Sequence, residues 1–436
     1  MHRREWLKWT TVGSVPWLAT RAPAADPSAD GQPALKITDV KTTLTAPAGI
    51  RLLVVKVLTS EPGLYGLGCA TFTQRVRTVV TAVNEYLRPF LIGKDPLAIE
   101  DVWQSCFVSS YWRNGPVLGN ALSGVDMALW DILGKRTKQP VYQLFGGKCR
   151  KAVPAYYHAS GRTNQDVEQA VRRAMDKGYR HVRAQVAIPG MATYGSGGGA
   201  TGSNTGDRVW EPRKYVNTVP KLFEHLRKTV GDEVDLLHDA HERMPPPLAM
   251  QLARDLEPYK LFFLEDPLSP EDVGYFEKLR ALTTTPLAMG ELFNNPNEWL
   301  PLVSGRLIDF IRIHTSQIGG LTPARKVAAL CDFFGVRTAW HGPGDLSPVG
   351  HAANVHLDLA TPNFGIQEGR EFTQAERDVF PGCPETKDGM MWANDKPGLG
   401  IDMDESLAAK FPIKDDPPFD LSWGQLRRRD GSIAKP

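Results

Sequence analysis

The chain predicts an α/β fold built on a closed parallel β/α barrel, and three observations predict it. From Val153 onward, short apolar segments rich in β-formers alternate with helical stretches. Eight such segments fit into about 220 residues, the count and length of an eight-stranded barrel. The competing architecture, an open doubly wound sheet, would want a Gly-rich phosphate loop after its first strand, and none follows Val153.

At 436 residues the chain has room for two or three domains of about 150 residues each. Hydrophobic residues make up 42% and charged residues 23%, a globular composition rather than a disordered one. The 51 Lys and Arg nearly cancel the 49 Asp and Glu, so the basic surplus of a nucleic-acid binder is missing. Five scattered cysteines form no CxxC and no disulfide or zinc framework. The body of the chain contains no uninterrupted apolar run of the ~18 residues that a membrane span needs.

At the start of the chain, Arg3-Arg4, a short apolar stretch over 10–19 and Ala22-Pro23-Ala24 form a twin-arginine-like export signal followed by a linker. Residues 1–30 are therefore expected to stand outside the fold. The protein is expected to be exported to the periplasm, or to remain cytoplasmic if the signal does not function. Residues 35–150 form the next unit. It opens with alternating, β-prone residues from Leu35 to Leu58 and continues into two helical stretches, the second with Ala121, Val125, Leu129 and Ile132 on one face. The barrel occupies 151–370, with strands expected at 153–158, 179–186, 234–240, 261–265, 286–291, 308–313, 336–341 and 364–368. Gly195 to Arg213 is expected to form a loop over the barrel mouth. The tail, 371–436, folds back onto the first unit.

Asp239, Glu265 and Glu291 each close one expected strand, and each follows the last by 26 residues, about one βα repeat. Consecutive strand ends are neighbours on the C-terminal rim of a barrel, so the three carboxylates should converge. Like charges brought together need a cation, and oxygen-only ligands favour Mg²⁺ over zinc. Around them, His158, Arg183, Arg312, His341 and Glu368 end other strands, with His241 two residues past Asp239, Tyr194 in the loop after the second strand and Asp345 after His341. Together they read as one pocket. His225, His351 and His356 lack such placement and are taken as structural.

These residues resemble the enolase superfamily, and within it the mandelate racemase-like mannonate dehydratase group, its weakly active, gluconate-preferring branch in particular. The resemblance spans essentially Leu35 to Ser432. It is carried by Trp112-Arg113-Asn114-Gly115-Pro116-Val117, by Ala121 to Asp131 (ALSGVDMALWD), by Val141 to Gly147 (VYQLFGG), by Arg183-Ala184-Gln185, by Ser316-Gln317-Ile318-Gly319-Gly320 and by Asp345-Leu346-Ser347-Pro348. It implies an α+β capping domain, made by N- and C-terminal segments, over a modified TIM barrel. One Mg²⁺ per subunit would sit on Asp239, Glu265 and Glu291 and stabilise the charge left when a sugar acid loses its α-proton. The racemase-type Lys is replaced by Arg183, so the resemblance assigns the base to a Tyr194–Arg183 dyad and the general acid to His241. Thr73, His158, Arg312, His341, Asp345 and Glu368 would hold the substrate, Thr73 standing where efficient members carry Asn.

The expected activity is a Mg²⁺-dependent hydro-lyase that converts D-mannonate or D-gluconate to a 2-keto-3-deoxy acid. The alternative is a sugar-acid-binding or sensing protein without turnover. The expected partner is a small sugar acid, with no nucleic acid and no membrane after signal removal. By family analogy the protein would be a homo-oligomer, a tetramer or octamer.

Overall fold

The structure is a computed structural model that describes residues 34–109, 111–188, 209–342, 344, 346–413 and 426–435. The signal and linker at 1–30, Tyr194, Asp345 and all but the last few residues of the expected mouth loop lie outside the described residues.

The first unit begins with three antiparallel strands, β1 (Ile37–Thr45), β2 (Leu52–Thr59) and β3 (Tyr65–Cys69), hydrogen-bonded in that order. The run of apolar residues in β2 is continuous because both faces are buried. Leu53, Val55 and Val57 enter a core with the helices of this unit, whereas Leu52 and Val54 enter the large core shared with the barrel. The helices are α1 (Val76–Thr81), α2 (Arg88–Leu91), α3 (Ile99–Ser109), α4 (Pro116–Thr137) and α5 (Val141–Leu144). The long helix α4 lies against β3 at a distance that only glycine permits. A Cβ on Gly66 would fall 1.9 Å from the Ala128 carbonyl oxygen, and one on Gly68 would fall 2.0 Å from that of Gly124.

The barrel alternates β4 (Val153–Gly161), α6 (Asn164–Asp176), β5 (His181–Val186), α7 (Pro212–Thr229), β6 (Asp235–Asp239), α8 (Pro246–Leu256), β7 (Phe263–Glu265) and α9 (Phe276–Leu282). It continues through β8 (Leu287–Met289), α10 (Pro296–Ser304), β9 (Phe310–Ile311), α11 (Leu321–Phe334), β10 (Arg337–Thr338), α12 (Pro348–Ala360) and β11 (Gln367–Glu368). Neighbouring strands from β4 to β10 pair in parallel. The segment 364–368 closes the ring, since Phe364 bridges to Thr338 of β10 and β11 pairs with β4. All eight expected strands are present, most of them shorter than their apolar segments. The barrel interior is packed by Tyr156, Leu237, Phe263, Ala288 and Phe310 from five strands, with Ala339 just past β10 and Ile366 just before β11.

The tail carries α13 (Gln374–Val379), β12 (Glu385–Lys387), β13 (Met390–Trp392), α14 (Glu405–Ala408), β14 (Leu426–Arg427) and β15 (Ile433–Ala434). The sequence leads one to expect the whole tail on the first unit, but only part of it joins there. Leu399 donates its N–H to Asp131 of α4 at 2.8 Å, and Ala46 donates to the Phe411 carbonyl at 2.8 Å. The hairpin β12–β13 instead adds to the barrel. β11 pairs only with Ala155 and Tyr156 of β4, so the foot of β4 still has backbone groups to satisfy, and β13 takes Val153 and Pro154 antiparallel. The β14–β15 pair also meets the barrel, where Trp210 donates to the Arg427 carbonyl at 2.7 Å.

Gly68→Ala should lower stability by about 1–3 kcal/mol, because backbone rather than a flexible side chain must move to admit the methyl. A thermal melt of the variant that matched the parent would show that β3 and α4 are not locked at this spacing.

Candidate active site

Strand alternation builds the site. Register places His158 beside Arg183, Arg183 beside Leu237, and Asp239 beside Glu265. In β6, Leu237 points into the barrel, and His238 points out to the Tyr215 hydroxyl of α7 at 2.8 Å, so Asp239 points in again. The same two-residue step carries Tyr156 to His158, Phe263 to Glu265, Phe310 to Arg312, Ala339 to His341 and Ile366 to Glu368. On five further strands, as on β6, an inward apolar residue is thus followed by an inward polar one at the C-terminal rim; on β8 the corresponding position after Ala288 is Gly290.

Two arginines hold these acids. Arg183 Nη1 lies 2.9 Å from Glu265, 3.2 Å from Asp239 and 3.2 Å from Glu368. Across the barrel, Arg312 Nη2 lies 2.7 Å from both Glu265 and Glu368, and its Nη1 lies 3.0 Å from Asp266. Burial opposes the charge of Arg312, but Glu265, Glu368 and Asp266 hold it firmly protonated. Glu368 lies between His158 (2.9 Å), Arg183 and Arg312. Burial works against its ionised form, but Arg312, His341, Arg183 and the hydrogen bond from His158 hold its pKa well below the usual range. Asp239 is likewise held low, against burial, by Arg183. Burial pushes Glu265 and Glu291 well up and Asp266 up to about 7.

The carboxylates that stand closest are not quite the set that the spacing suggests. Oxygens of Asp239, Glu265 and Asp266 lie within 4.8 Å of one another. Glu291 stands above them, between His241 Nε2 (3.3 Å) and His341 Nε2 (3.2 Å), and reaches the cluster through Arg312 at 3.7 Å. Register gives the reason. Glu265 pairs with Ala288, so Glu291 is three residues beyond that level and past the end of β8. Asp266 would point outward in an extended strand, but its φ of +41° turns it inward, where its Oδ1 accepts the Gly290 N–H at 2.8 Å.

His241 also takes a left-handed backbone, φ +53°, and its N–H donates to Asp239 Oδ1 at 2.7 Å. Burial and the neighbouring Arg243 push its imidazole down to about 3. Burial and Arg183 lower His158. Thr73 belongs to the first unit, in the loop after β3, where Arg51 Nε donates to its carbonyl at 3.0 Å and its hydroxyl donates to Gln74 at 3.0 Å. This unit meets the barrel mouth nearby, since Ser347 donates its N–H to Cys69 Sγ at 3.4 Å. His225 pairs with Glu168 at 2.8 Å, and His356 accepts the Tyr142 N–H at 3.1 Å, both away from the cluster.

Sequence reading missed Asp266, Glu242 and Tyr156. Asp266 stands in plain view in the Glu-Asp-Pro triplet, but alternation alone would send it outward. Glu242 follows His241 with a φ of +60°, and burial and Asp266 push it well up. Tyr156 lies one inward step below His158. Its hydroxyl accepts from Arg312 Nη2 at 2.9 Å and lies 3.4 Å from Glu265 Oε2.

A divalent cation fits this donor set. All three close donors are carboxylate oxygens, the ligand type of Mg²⁺. The buried acids Asp239, Glu242, Glu265, Asp266, Glu291 and Glu368 outnumber the arginines Arg183, Arg243 and Arg312. Added positive charge would relieve what burial and mutual repulsion cost.

Residues 32–146 match the mandelate racemase / muconate lactonizing enzyme N-terminal domain, and residues 165–407 match the enolase C-terminal domain-like family. A D-galactonate dehydratase family member of Musicola paradisiaca is 53% identical over 422 residues, 92% of this chain and 99% of that one. One from Salmonella enteritidis has the same identity and coverage. Among solved structures, an enolase from Pantoea ananatis with bound D-gluconate and Mg is 52% identical, with a TM-score of 0.86 over 92% of this chain and all of that one. A putative dehydratase from Zymomonas mobilis is 27% identical, with a TM-score of 0.76 over 86% of this chain and 98% of that one. Both domains match along almost their whole length, so the chain belongs to the mandelate racemase / muconate lactonizing enzyme family of the enolase superfamily, among relatives named D-galactonate dehydratase family members.

Proposed function

We propose that the protein is a Mg²⁺-dependent sugar-acid dehydratase, a hydro-lyase that removes water across C2 and C3 of a six-carbon aldonate such as D-gluconate or D-mannonate. The buried carboxylate cluster at the barrel mouth carries this reading. It supplies an oxygen-only cation site directly beside Arg183 and His241. The D-gluconate and Mg of the Pantoea ananatis structure support both ligand classes. The mannonate dehydratase resemblance adds D-mannonate, and the D-galactonate name of the relatives makes a third substrate to test.

Asp239, Glu265 and Asp266, with Glu291 above them, would hold the cation. When bound, it supplies positive charge where the substrate carboxylate accumulates negative charge, which makes the α-proton removable. Arg183 is anchored by Asp239, Glu265 and Glu368, so its guanidinium is fixed while its outer face remains a source of positive potential. Tyr194, which follows on the same βα unit, is proposed as the base, since a guanidinium nearby favours phenolate. His241 is proposed as the acid that protonates the departing 3-hydroxyl. An anionic substrate beside its ring opposes the burial that lowers its pKa. The sugar hydroxyls would meet His158, Arg312, His341, Asp345 and Glu368 from the barrel and Thr73 from the capping unit.

Incubation with Mg²⁺ and a panel of aldonates should yield a 2-keto-3-deoxy acid from at least one of them. Metal-dependent binding without product from any would favour a sugar-acid sensor instead. Tyr194→Phe should abolish turnover and leave Mg²⁺ affinity nearly unchanged, and retained turnover would remove Tyr194 as the base. Mg²⁺ should bind more tightly as pH rises from 6 to 8. Asp266, raised to about 7, and Glu265 and Glu291, raised further by burial, hold protons that the cation must displace. Calorimetry in buffers of different ionisation enthalpy should detect protons released on binding, and a pH-independent affinity without release would contradict this.

A further inference from the structure

Helix α11 begins at Leu321, and its cap position is Gly320, which has no side chain to offer the first turn. The cap comes from the other domain. Asp126, on α4 of the first unit, accepts the Thr322 N–H at 2.9 Å with one carboxylate oxygen and the Thr322 hydroxyl with the other. The arrangement explains the glycine, because a Cβ on Gly320 would fall 2.5 Å from Asp126 Oδ2, and the backbone φ there is +103°.

Three more close approaches, from α4 and the neighbouring α3, grip the start of α11 and the segment that leads into it. Trp130 Nε1 donates to Thr322 Oγ1 at 2.9 Å, and Trp103 Nε1 donates to the Gly319 carbonyl at 2.9 Å. At Gly119 a Cβ would fall 1.9 Å from the Gln317 carbonyl oxygen. The segment is itself tightly wound, with Gln317 N–H on the His314 carbonyl at 3.0 Å and Gly320 N–H on that of Thr315 at 2.9 Å. It starts from Arg312, which pairs with Glu265, Asp266 and Glu368.

We infer that Asp126 is a positioning residue. By capping α11 from the capping domain it fixes the segment from Arg312 to Gly320, and with it the arginine that holds the acid cluster in shape. An anionic cap at a helix N-terminus is favoured by the aligned N–H groups. Asp126 is 2% exposed, and burial pushes its pKa up to about 7, so its neighbours compensate only part of what burial costs. This role builds on the cation reading above.

The test compares two acids of one helix. Asp131 accepts from Leu67 N–H at 3.0 Å, from Leu399 N–H and from Lys135. It therefore ties α4 to β3 and the tail, whereas Asp126 ties α4 to α11. In the full chain, Asp126→Ala should raise hydrogen exchange across 313–322 and weaken Mg²⁺ binding about tenfold by calorimetry. Thr322→Val should act in the same direction and more weakly. Asp131→Ala should lower Tm and move neither readout. Unchanged exchange in both Asp126→Ala and Thr322→Val would overturn the inference, as would an equal rise in Asp131→Ala. If Asp126→Ala does not fold, Thr322→Val decides. A parent protein that binds no Mg²⁺ while Asp126→Ala still loosens 313–322 would sink the cation reading and leave the positioning role standing.

Discussion

Crowding of buried carboxylates is the constraint on which the barrel mouth depends. Asp239, Glu265, Asp266 and Glu368 are each no more than 1% exposed, and a lone ionised carboxylate in such a place would be pushed to its neutral form. Arg183 from β5 and Arg312 from β9 make the crowding tolerable. They approach from opposite sides of the ring and share Glu265 and Glu368 between them. Removing one partner of such a network typically costs about 3–5 kcal/mol, because the survivor is left charged and buried. The arginines therefore stabilise the barrel and keep the acids poised, and the acids still in excess give the site its appetite for a cation.

Much of this was legible in the sequence, for a physical reason. Strand positions follow from apolar segments separated by helical ones, and the barrel count from their number. Asp239, Glu265, Arg312, His158, His341 and Glu368 all stand one inward step beyond an interior residue, so a period of two finds them, and Arg183 is found at the end of its own expected strand. What the sequence hid depends on backbone turns outside that period. Asp266 joins the cluster only because its φ is +41°. Glu291 stands higher than its spacing implies, because 26 residues of chain include a loop whose length is not rise along the barrel axis. The β12–β13 hairpin was hidden for a different reason, since its place follows from how little of β4 the short β11 covers.

The two domains are joined by polar contacts as specific as those of the site. Helix α4 offers Asp126 to α11 on one side and Asp131 to β3 and the tail on the other. They stand five positions apart, about 140° around the helix, which puts the two acids on different faces. Glycines at 66, 68, 119, 320 and 398 leave room for these approaches, because a Cβ at any of them would fall within 2.5 Å of the partner. The apolar periodicity of α4 predicts that it is buried, but its two buried acids and the glycines facing it specify against what.

This division of labour bears on specificity. The residues that set charge at the mouth sit on the barrel strands or just past their ends, and Arg183, Arg312 and Glu368 are tied into one network. Changing any of them disturbs the rest. The loop carrying Thr73 is held differently, with its carbonyl on Arg51 and its hydroxyl on the adjacent Gln74. A change of side chain at Thr73 leaves both the Arg51 bond to the backbone and the barrel ladder intact. Shape and hydrogen bonding at the capping side of the mouth can thus vary while the acid cluster stays as it is, so on the dehydratase reading proposed above, discrimination among sugar acids that differ at one hydroxyl would fall to the cap and the chemistry they share to the barrel.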